Sequence, residues 1–391
     1  MDSPYQRELG IAINAVRLAA SISRHVLAST SNLTSASNPN SIQKDDLSPV
    51  TVADFAIQAV LTLMLRTAFP ADDFIGEESA DDLHANPDLL RRVKEEVTHC
   101  LKEEARRQPG ADQMDEEAFE FIVSQDRICE LVDACGTTET GGPDSGKEGR
   151  VWVFDPIDGT KTFMKGEQYA INVALLVGGR QILSVVGCPK LALDAVGPIK
   201  DDTLDPKGDE GGCILFAVKG YGAYVQPLSD SMLDPNAPPV VRRLPRHADG
   251  VALDGLKSVT CWDKIDSGVD EVHKAATEAL GASFPGTDLL GWVPRWVSLA
   301  MGYGNMSVWV YKKRERHGKI WDHAGAMLLF EEVGGMITDV DGREIDLSAG
   351  RKLVRNFGFV AAPRSLHHVV LKTLRDKMRE EGKEALLASS T

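Results

Sequence analysis

Apolar positions near the start of the chain recur at helical spacing. Between residues 8 and 28, Ile13, Val16, Leu18, Ala19, Ile22 and Val26 form one apolar side, which predicts an amphipathic helix. Residues 30 to 46 are rich in Ser, Asn and Thr and lose the period, so they read as an exposed loop. A second helix is predicted from Thr51 to Phe69, where Pro70 stops it. Asp73 to Gly76 reads as a short strand ending in a turn. Residues 85 to 125 are highly charged and helical in pattern, and residues 136 to 149 read as a flexible surface loop. Val151 to Phe154 is a compact apolar strand. Ile171 to Val177 and Ile182 to Val186 flank Gly178-Gly179, a hairpin signal. Cys213 to Val218 and Ala223 to Val225 continue the sheet. From about residue 252 short strands mix with helices up to Met301. Residues 322 to 333 predict a helix stopped by Gly334-Gly335. Met336 to Val340 and Phe357 to Ala361 predict strands, and Ser365 opens a final helix. The mixture is of the α+β class, sheets covered by helices, with no internal repeat. It divides into an N-terminal α+β region, residues 1–245, and a C-terminal region, residues 246–391.

Composition narrows the partners. The 391 residues are 43% hydrophobic, ample for a sizeable core. The net charge of -15 repels nucleic acid polymers and anionic membranes, so neither is an expected partner. It would also repel an anionic substrate unless cations in the site reverse the local field. The six cysteines are scattered and form no CxxC pair, which argues against a zinc site and for a reducing compartment. The N-terminal apolar residues are helically spaced around Asp2 and Glu8, and no run of about 18 apolar residues occurs. Neither a signal peptide nor a membrane span is therefore expected, and the cytoplasm is the expected location. The sequence sets no oligomeric state.

Four motifs carry candidate chemistry. The sharpest is Asp155-Pro156-Ile157-Asp158-Gly159-Thr160, directly after the apolar strand. Two carboxylates three positions apart around a proline-stiffened turn can converge on one point. With the Ile157 carbonyl they form an oxygen donor set suited to a hard divalent cation. Gly159 lets the backbone approach a phosphate, and Thr160 offers a hydroxyl to orient a water. Asp-Pro and Asp-Gly alone are common turn formers; the full string after a buried strand points to a site. The second is Gly76-Glu77-Glu78-Ser79, whose plainer reading is a helix N-terminus. The third is Ile320-Trp321-Asp322-His323-Ala324-Gly325, where an isolated Asp322 reads most simply as a helix cap and His323 as a packed side chain. The fourth is Ser48 to Asp54, in which Thr51 and Asp54 fit a capping box, a role compatible with a positioned carboxylate. Asp45, Asp46, Asp72, Asp73 and the acids between 91 and 118 are expected on the solvated surface, and the Trp292–Trp296 pair on a helix face or in the core.

In this order the four motifs resemble those of the lithium-sensitive, magnesium-dependent phosphatases. That superfamily holds inositol monophosphatases, fructose-1,6-bisphosphatases and 3'(2'),5'-bisphosphate nucleotidases. The resemblance runs from Glu8 to about Ala362 and is strongest to the nucleotidases. The string DPIDGTKTFMKGEQYA from Asp155 to Ala170, the SPVT–D pattern from Ser48, Gly187-Cys188-Pro189 and the long Glu77–Asp155 interval carry it. The resemblance implies a layered αβαβα sugar-phosphatase fold. It implies two or three Mg2+ ions on Glu77, Asp155, the Ile157 carbonyl, Asp158 and Asp322. Asp54 and Thr160, with Glu77, would activate the attacking water, and Gly159, Thr160 and Arg295 would meet the substrate. The implied reaction removes the 3'-phosphate of 3'-phosphoadenosine 5'-phosphate, a by-product of sulfate assimilation. An inositol phosphate, another small phosphorylated metabolite, or a non-catalytic binding role are the alternatives; the full set of acids speaks against the last.

The substrate half departs from the nucleotidase pattern. Residues 259 to 268 lack the family's histidine. Trp292 stands where a serine is usual and Arg295 where a lysine is, ahead of Leu299-Ala300-Met301-Gly302. The acid usual after that string is replaced around Asn305.

Overall fold

Strands that are apolar at every position must be covered on both faces. The inner strands of this chain come close to that, 151–154, 171–176 and 213–218 being buried at every position and apolar but for Asn172, and the architecture follows from covering them. A computed structural model describes residues 3–34, 49–107, 115–136, 149–229 and 240–388. Its first half runs α1 (Gln6–Thr34), α2 (Pro49–Ala68), β1 (Asp73–Gly76), α3 (Asp81–Ala85), α4 (Pro87–Arg107), α5 (Glu116–Ile122) and α6 (Gln125–Asp133). Then come β2 (Arg150–Asp158), α7 (Thr160–Phe163), β3 (Ala170–Val177), β4 (Arg180–Cys188), β5 (Cys213–Val218), β6 (Gly222–Pro227) and β7 (Arg242–Arg243). The rest comprises β8 (Val259–Thr260), α8 (Asp270–Ala279), β9 (Thr287–Asp288), α9 (Trp292–Met301), β10 (Ser307–Trp309), α10 (Ala326–Glu332), β11 (Gly335–Thr338), β12 (Phe359–Pro363) and α11 (His367–Glu380).

Strands β1 to β7 form one sheet in chain order, with β1 and β2 parallel and every later pair antiparallel. Alternation splits its side chains between two cores. Trp152 and Phe154 of β2 join the core under α1 and α2, while Val151 and Val153 join the core under α9 and α10. Helix α10 packs also on β11, and α11 packs on β12 and α8. The layers are therefore helix, sheet, helix, sheet, helix, the second sheet being β10-β12-β11. The Gly178-Gly179 hairpin forms as read, both glycines at positive φ (58° and 74°), which suits the twist of a two-residue turn.

Several expectations change. Helix α1 continues through residues 30 to 34, because propagating a formed helix costs little. The rest of the loop expected to residue 46, like most of that at 136 to 149, lies outside the described residues. Helix α2 starts at Pro49, so Thr51 is inside its first turn and not ahead of it as a capping box needs. Its stretch Thr51–Ala68 is long and apolar enough to cross a membrane (mean hydropathy 1.3), and 67% of it is buried in the fold as a core helix. The helix read at 322 to 333 is broken. Residues Ile320–Asp322 form a 3₁₀ turn and α10 begins only at Ala326. The carbonyls of Trp321 and Ala324 are taken by Asn172 and Gln181, so Leu328 N–H bonds to Gly325 instead. Asp322 caps nothing. Asp72 is not on the solvated surface: its side chain is 8% exposed, accepting from Arg150 Nε at 2.9 Å and Trp152 Nε1 at 2.8 Å. Strand β2 runs four residues past Phe154, carrying Asp155 to Asp158 at its irregular end, and other boundaries shift by a residue or two.

Leu61 of α2 is fully buried against the sheet. Leu61→Ala should lower unfolding free energy by about 2–5 kcal/mol in denaturant titrations. A loss below about 1 kcal/mol would mean that this layer does not pack as described.

Candidate metal and active site

Neighbouring parallel strands end at the same edge of a sheet. The register pairs Gly76 of β1 with Phe154 of β2, so the next residues, Glu77 and Asp155, emerge side by side. Asp155 faces Asn172 on β3. Asn172 Nδ2 donates to Trp321 O at 2.6 Å, and Gln181 donates to Ala324 O. These two amides hold the turn bearing Asp322 against the end of β2. The result is that carboxylate oxygens of Asp155, Asp158 and Asp322 lie within 4.8 Å of one another. Asp155 is 1% exposed; the other two are half-buried.

The start of α9 closes the site from the other side. Asp158 accepts the Val293 backbone N–H in the first turn of that helix, where the dipole favours an anion. Gly291 makes the approach possible, since a Cβ there would sit 3.0 Å from Asp158 Oδ2. Gly159 adopts φ +98°, a left-handed conformation that a side chain disfavours, and turns the chain from β2 into α7. Thr160 follows it, exposed, and the Ile157 side chain is buried in the core under α2.

Asp54 on α2 is 5% exposed and its Oδ1 has no hydrogen-bond partner; Asp155 Oδ1 is likewise unpartnered. Burial raises the Asp54 carboxyl well above the usual range, helped by repulsion from Glu78 and Glu77. Burial does the same to Asp155, with Glu77, Asp158, Asp322 and Asp54 repelling it, and to Asp322. Asp158 is pushed up by burial to about 7, with the Val293 N–H and Arg295 working against the rise. Glu78 is pushed to about 7 by burial and by Glu77. Glu77 remains open to solvent beside the three aspartates, near Lys319. An all-oxygen donor set, crowded like charges and two orphaned buried oxygens fit a hard divalent cation.

Arg295 is 1% exposed. Its guanidinium lies 3.6 Å over the Trp292 ring and bonds to Gly291 O at 3.1 Å. Trp292 and Trp296 stack at 6.1 Å, and buried His323 accepts from Trp296 Nε1 at 3.1 Å, so it is packed as read. Beside Asp322 opens a cavity of 330 Å³ lined by Ile265, Ser267, Trp292, Tyr311 and a cationic wall.

The supporting amides were not read from sequence. Gln58 of α2 donates to Glu78 O and accepts from Glu78 N, both at 2.9 Å, fixing the Glu77–Glu78 segment. Arg351 donates to Glu77 O at 3.3 Å. The signal for Gln58 and Asn172 is a lone amide in an otherwise apolar run.

A family model described as the Inositol monophosphatase family matches residues 6–379. The chain belongs to the inositol monophosphatase family. It is 30% identical over 379 residues to a 3'(2'),5'-bisphosphate nucleotidase of Emericella nidulans, covering 96% of this chain and 99% of that one. It is 31% identical over 370 residues to the 3'(2'),5'-bisphosphate nucleotidase of Schizosaccharomyces pombe, covering 94% and 95%. Among solved structures, inositol monophosphatase-II of Staphylococcus aureus aligns with TM-score 0.53 at 16% identity over 97% of this chain and 96% of that one. An inositol monophosphatase of Zymomonas mobilis gives 0.52 at 16%, over 95% and 99%. The layered fold of the inositol monophosphatase family is thus the fold observed.

The raised carboxyls set a pH dependence for the ion-free protein. Asp158 and Glu78 titrate near 7 when folded, against an ordinary value near 4 when unfolded. Between about pH 4 and 7 the folded state binds protons that the unfolded state has lost, so stability falls as pH rises through that window. Chelated protein should melt at lower temperature near pH 7.5 than near pH 5.5, and a divalent cation should raise Tm most at the higher pH. A melting temperature indifferent to both would contradict the cluster.

Proposed function

We propose that this chain is a magnesium-dependent phosphoric monoester hydrolase that removes the 3'-phosphate of 3'-phosphoadenosine 5'-phosphate, leaving AMP and phosphate. The observation that carries the reading is the convergence of Asp155, Asp158 and Asp322 within 4.8 Å at a sheet edge. The names of the relatives support the substrate class. Asp155, Asp158, Asp322, Glu77 and the Ile157 carbonyl would hold two or three Mg2+ ions. Bound there, the cations supply Lewis acidity that makes hydroxide available near neutrality and neutralises the leaving oxygen.

The chain's own residues do the rest. Glu77, Asp54 and Thr160 orient the attacking water, and Asp54, whose buried carboxylate holds a proton more readily than an exposed one, takes up the water's proton. Gly159 keeps a side chain out of the path of the phosphate. Water attacks phosphorus in line as the phosphorus–oxygen ester bond breaks, the electron pair leaving on the ester oxygen, which takes a proton from solvent to give the free hydroxyl. Asn172 and Gln181 keep Asp322 in register during the reaction. A second reading, hydrolysis of an inositol phosphate or another phosphorylated metabolite, is favoured by Trp292 and the altered 259 to 268 stretch, which together line the cavity beside Asp322.

Phosphate release from 3'-phosphoadenosine 5'-phosphate, inositol 1-phosphate and inositol 1,4-bisphosphate with magnesium separates these readings. Fast, magnesium-dependent release from the nucleotide is expected, and poor release beside a good inositol substrate favours the second reading. Asp155→Asn should lower kcat more than about 100-fold while its circular dichroism stays native. Near-normal turnover in that variant would sink the assignment.

A further inference from the structure

Family resemblance puts contacts for the substrate half at the start of α9, on a serine and a lysine. Here those positions hold Trp292 and Arg295. Trp292 carries neither a charge nor a hydroxyl. Arg295 is 1% exposed, is pinned 3.6 Å over Trp292 and 5.0 Å from Trp309, and does not line the cavity beside Asp322. A substrate with a second anionic group must find its counter-charge elsewhere.

We infer that this second group is held on the wall of the cavity formed by Arg316, Lys319 and Lys352. The inference rests on the phosphatase reading above and names the residues that select its substrate. The cavity, 330 Å³, is of small-molecule size and begins at Asp322. All three cations line it, as does His317. Lys319 and Lys352 are backbone bridge partners, which sets their side chains on the same face. Like charges so placed repel unless an anion lies between them. Nearby Arg314 and Arg355 are already committed to Asp341 and Asp346, whereas Arg316 and Lys352 have no ion-pair partner among the described residues; Lys319, on the side of the wall toward the acids, also feels Glu77 and Asp322. His317 Nδ1 is buried without a hydrogen-bond partner at the same wall. Apart from Asp322, the carboxylate on this lining is Glu315, which is exposed. In a chain of net charge -15, a wall of this composition attracts an anion that most of the surface repels.

The test compares adenosine 3',5'-bisphosphate with adenosine 3'-monophosphate, which lacks the second phosphate. Affinities are measured by calorimetry with calcium in place of magnesium, for wild type and the exposed double variant Arg316→Ala/Lys352→Ala. Wild type should prefer the bisphosphate, and the variant should lose about tenfold or more of that preference while keeping its affinity for the monophosphate. A variant with the wild-type preference, or one weakened equally for both ligands, overturns the inference. Turnover is scored separately. Wild type that shows the preference but releases no phosphate sinks the phosphatase reading and leaves this one standing. A variant that turns over with its preference intact sinks this one alone.

Discussion

The structure is organised around holding like charges together out of water. Asp155, Asp158 and Asp322 meet within 4.8 Å at one sheet edge, with Asp54 and Glu77 adding their fields. Burial and mutual repulsion both oppose ionisation there, as the raised carboxyls record. Such a cluster persists only where the surrounding fold over-determines it and a cation offsets the charge. Covering both faces of the seven-stranded sheet supplies that rigidity, since close-packed cores leave little room for the edge to relax.

Polar residues inside these cores transmit the rigidity to the site. Asn172 and Gln181 cross from the sheet to the turn bearing Asp322, and Gln58 crosses from α2 to the Glu77–Glu78 segment. A buried amide left unpaired is costly, so each bond holds its two elements in one register. The same bonds break the helix around Asp322, which frees that carboxylate from capping and turns it to the cluster. Helix α9 adds its N-terminal N–H at Asp158, and Arg295 beneath adds a buried positive charge that its stack on Trp292 holds in place.

Charge is arranged in two zones. The acids gather at the sheet edge, and beside them stands a wall of Arg316, Lys319 and Lys352. Acidic overall charge keeps such a protein away from polyanions, while a local cationic wall in a cavity focuses small anions toward the reacting centre. Lys319 belongs to both zones, since its charge also reaches Glu77 and Asp322.

Much was legible from sequence because it depends on local pattern. The hairpin at Gly178-Gly179, the apolar strands and the DPIDGT string at Asp155 were read from neighbours in the chain, and the motif order pointed to the layered fold. What tertiary structure alone decided are relations between distant residues. Nothing near Asp322 in the chain says that it leaves its helix; Asn172 and Gln181, far away in sequence, take the carbonyls that a helix would need. Asp72 read as surface because its partners Arg150 and Trp152 lie on another strand. Arg295 reads as a substrate contact from its position alone; its burial under Trp292 follows from α9 packing on the sheet of β10 and β12. Local sequence determines which segments form strands, helices and turns; which charges end up facing one another depends on how those segments pack, and packing is a property of the whole chain.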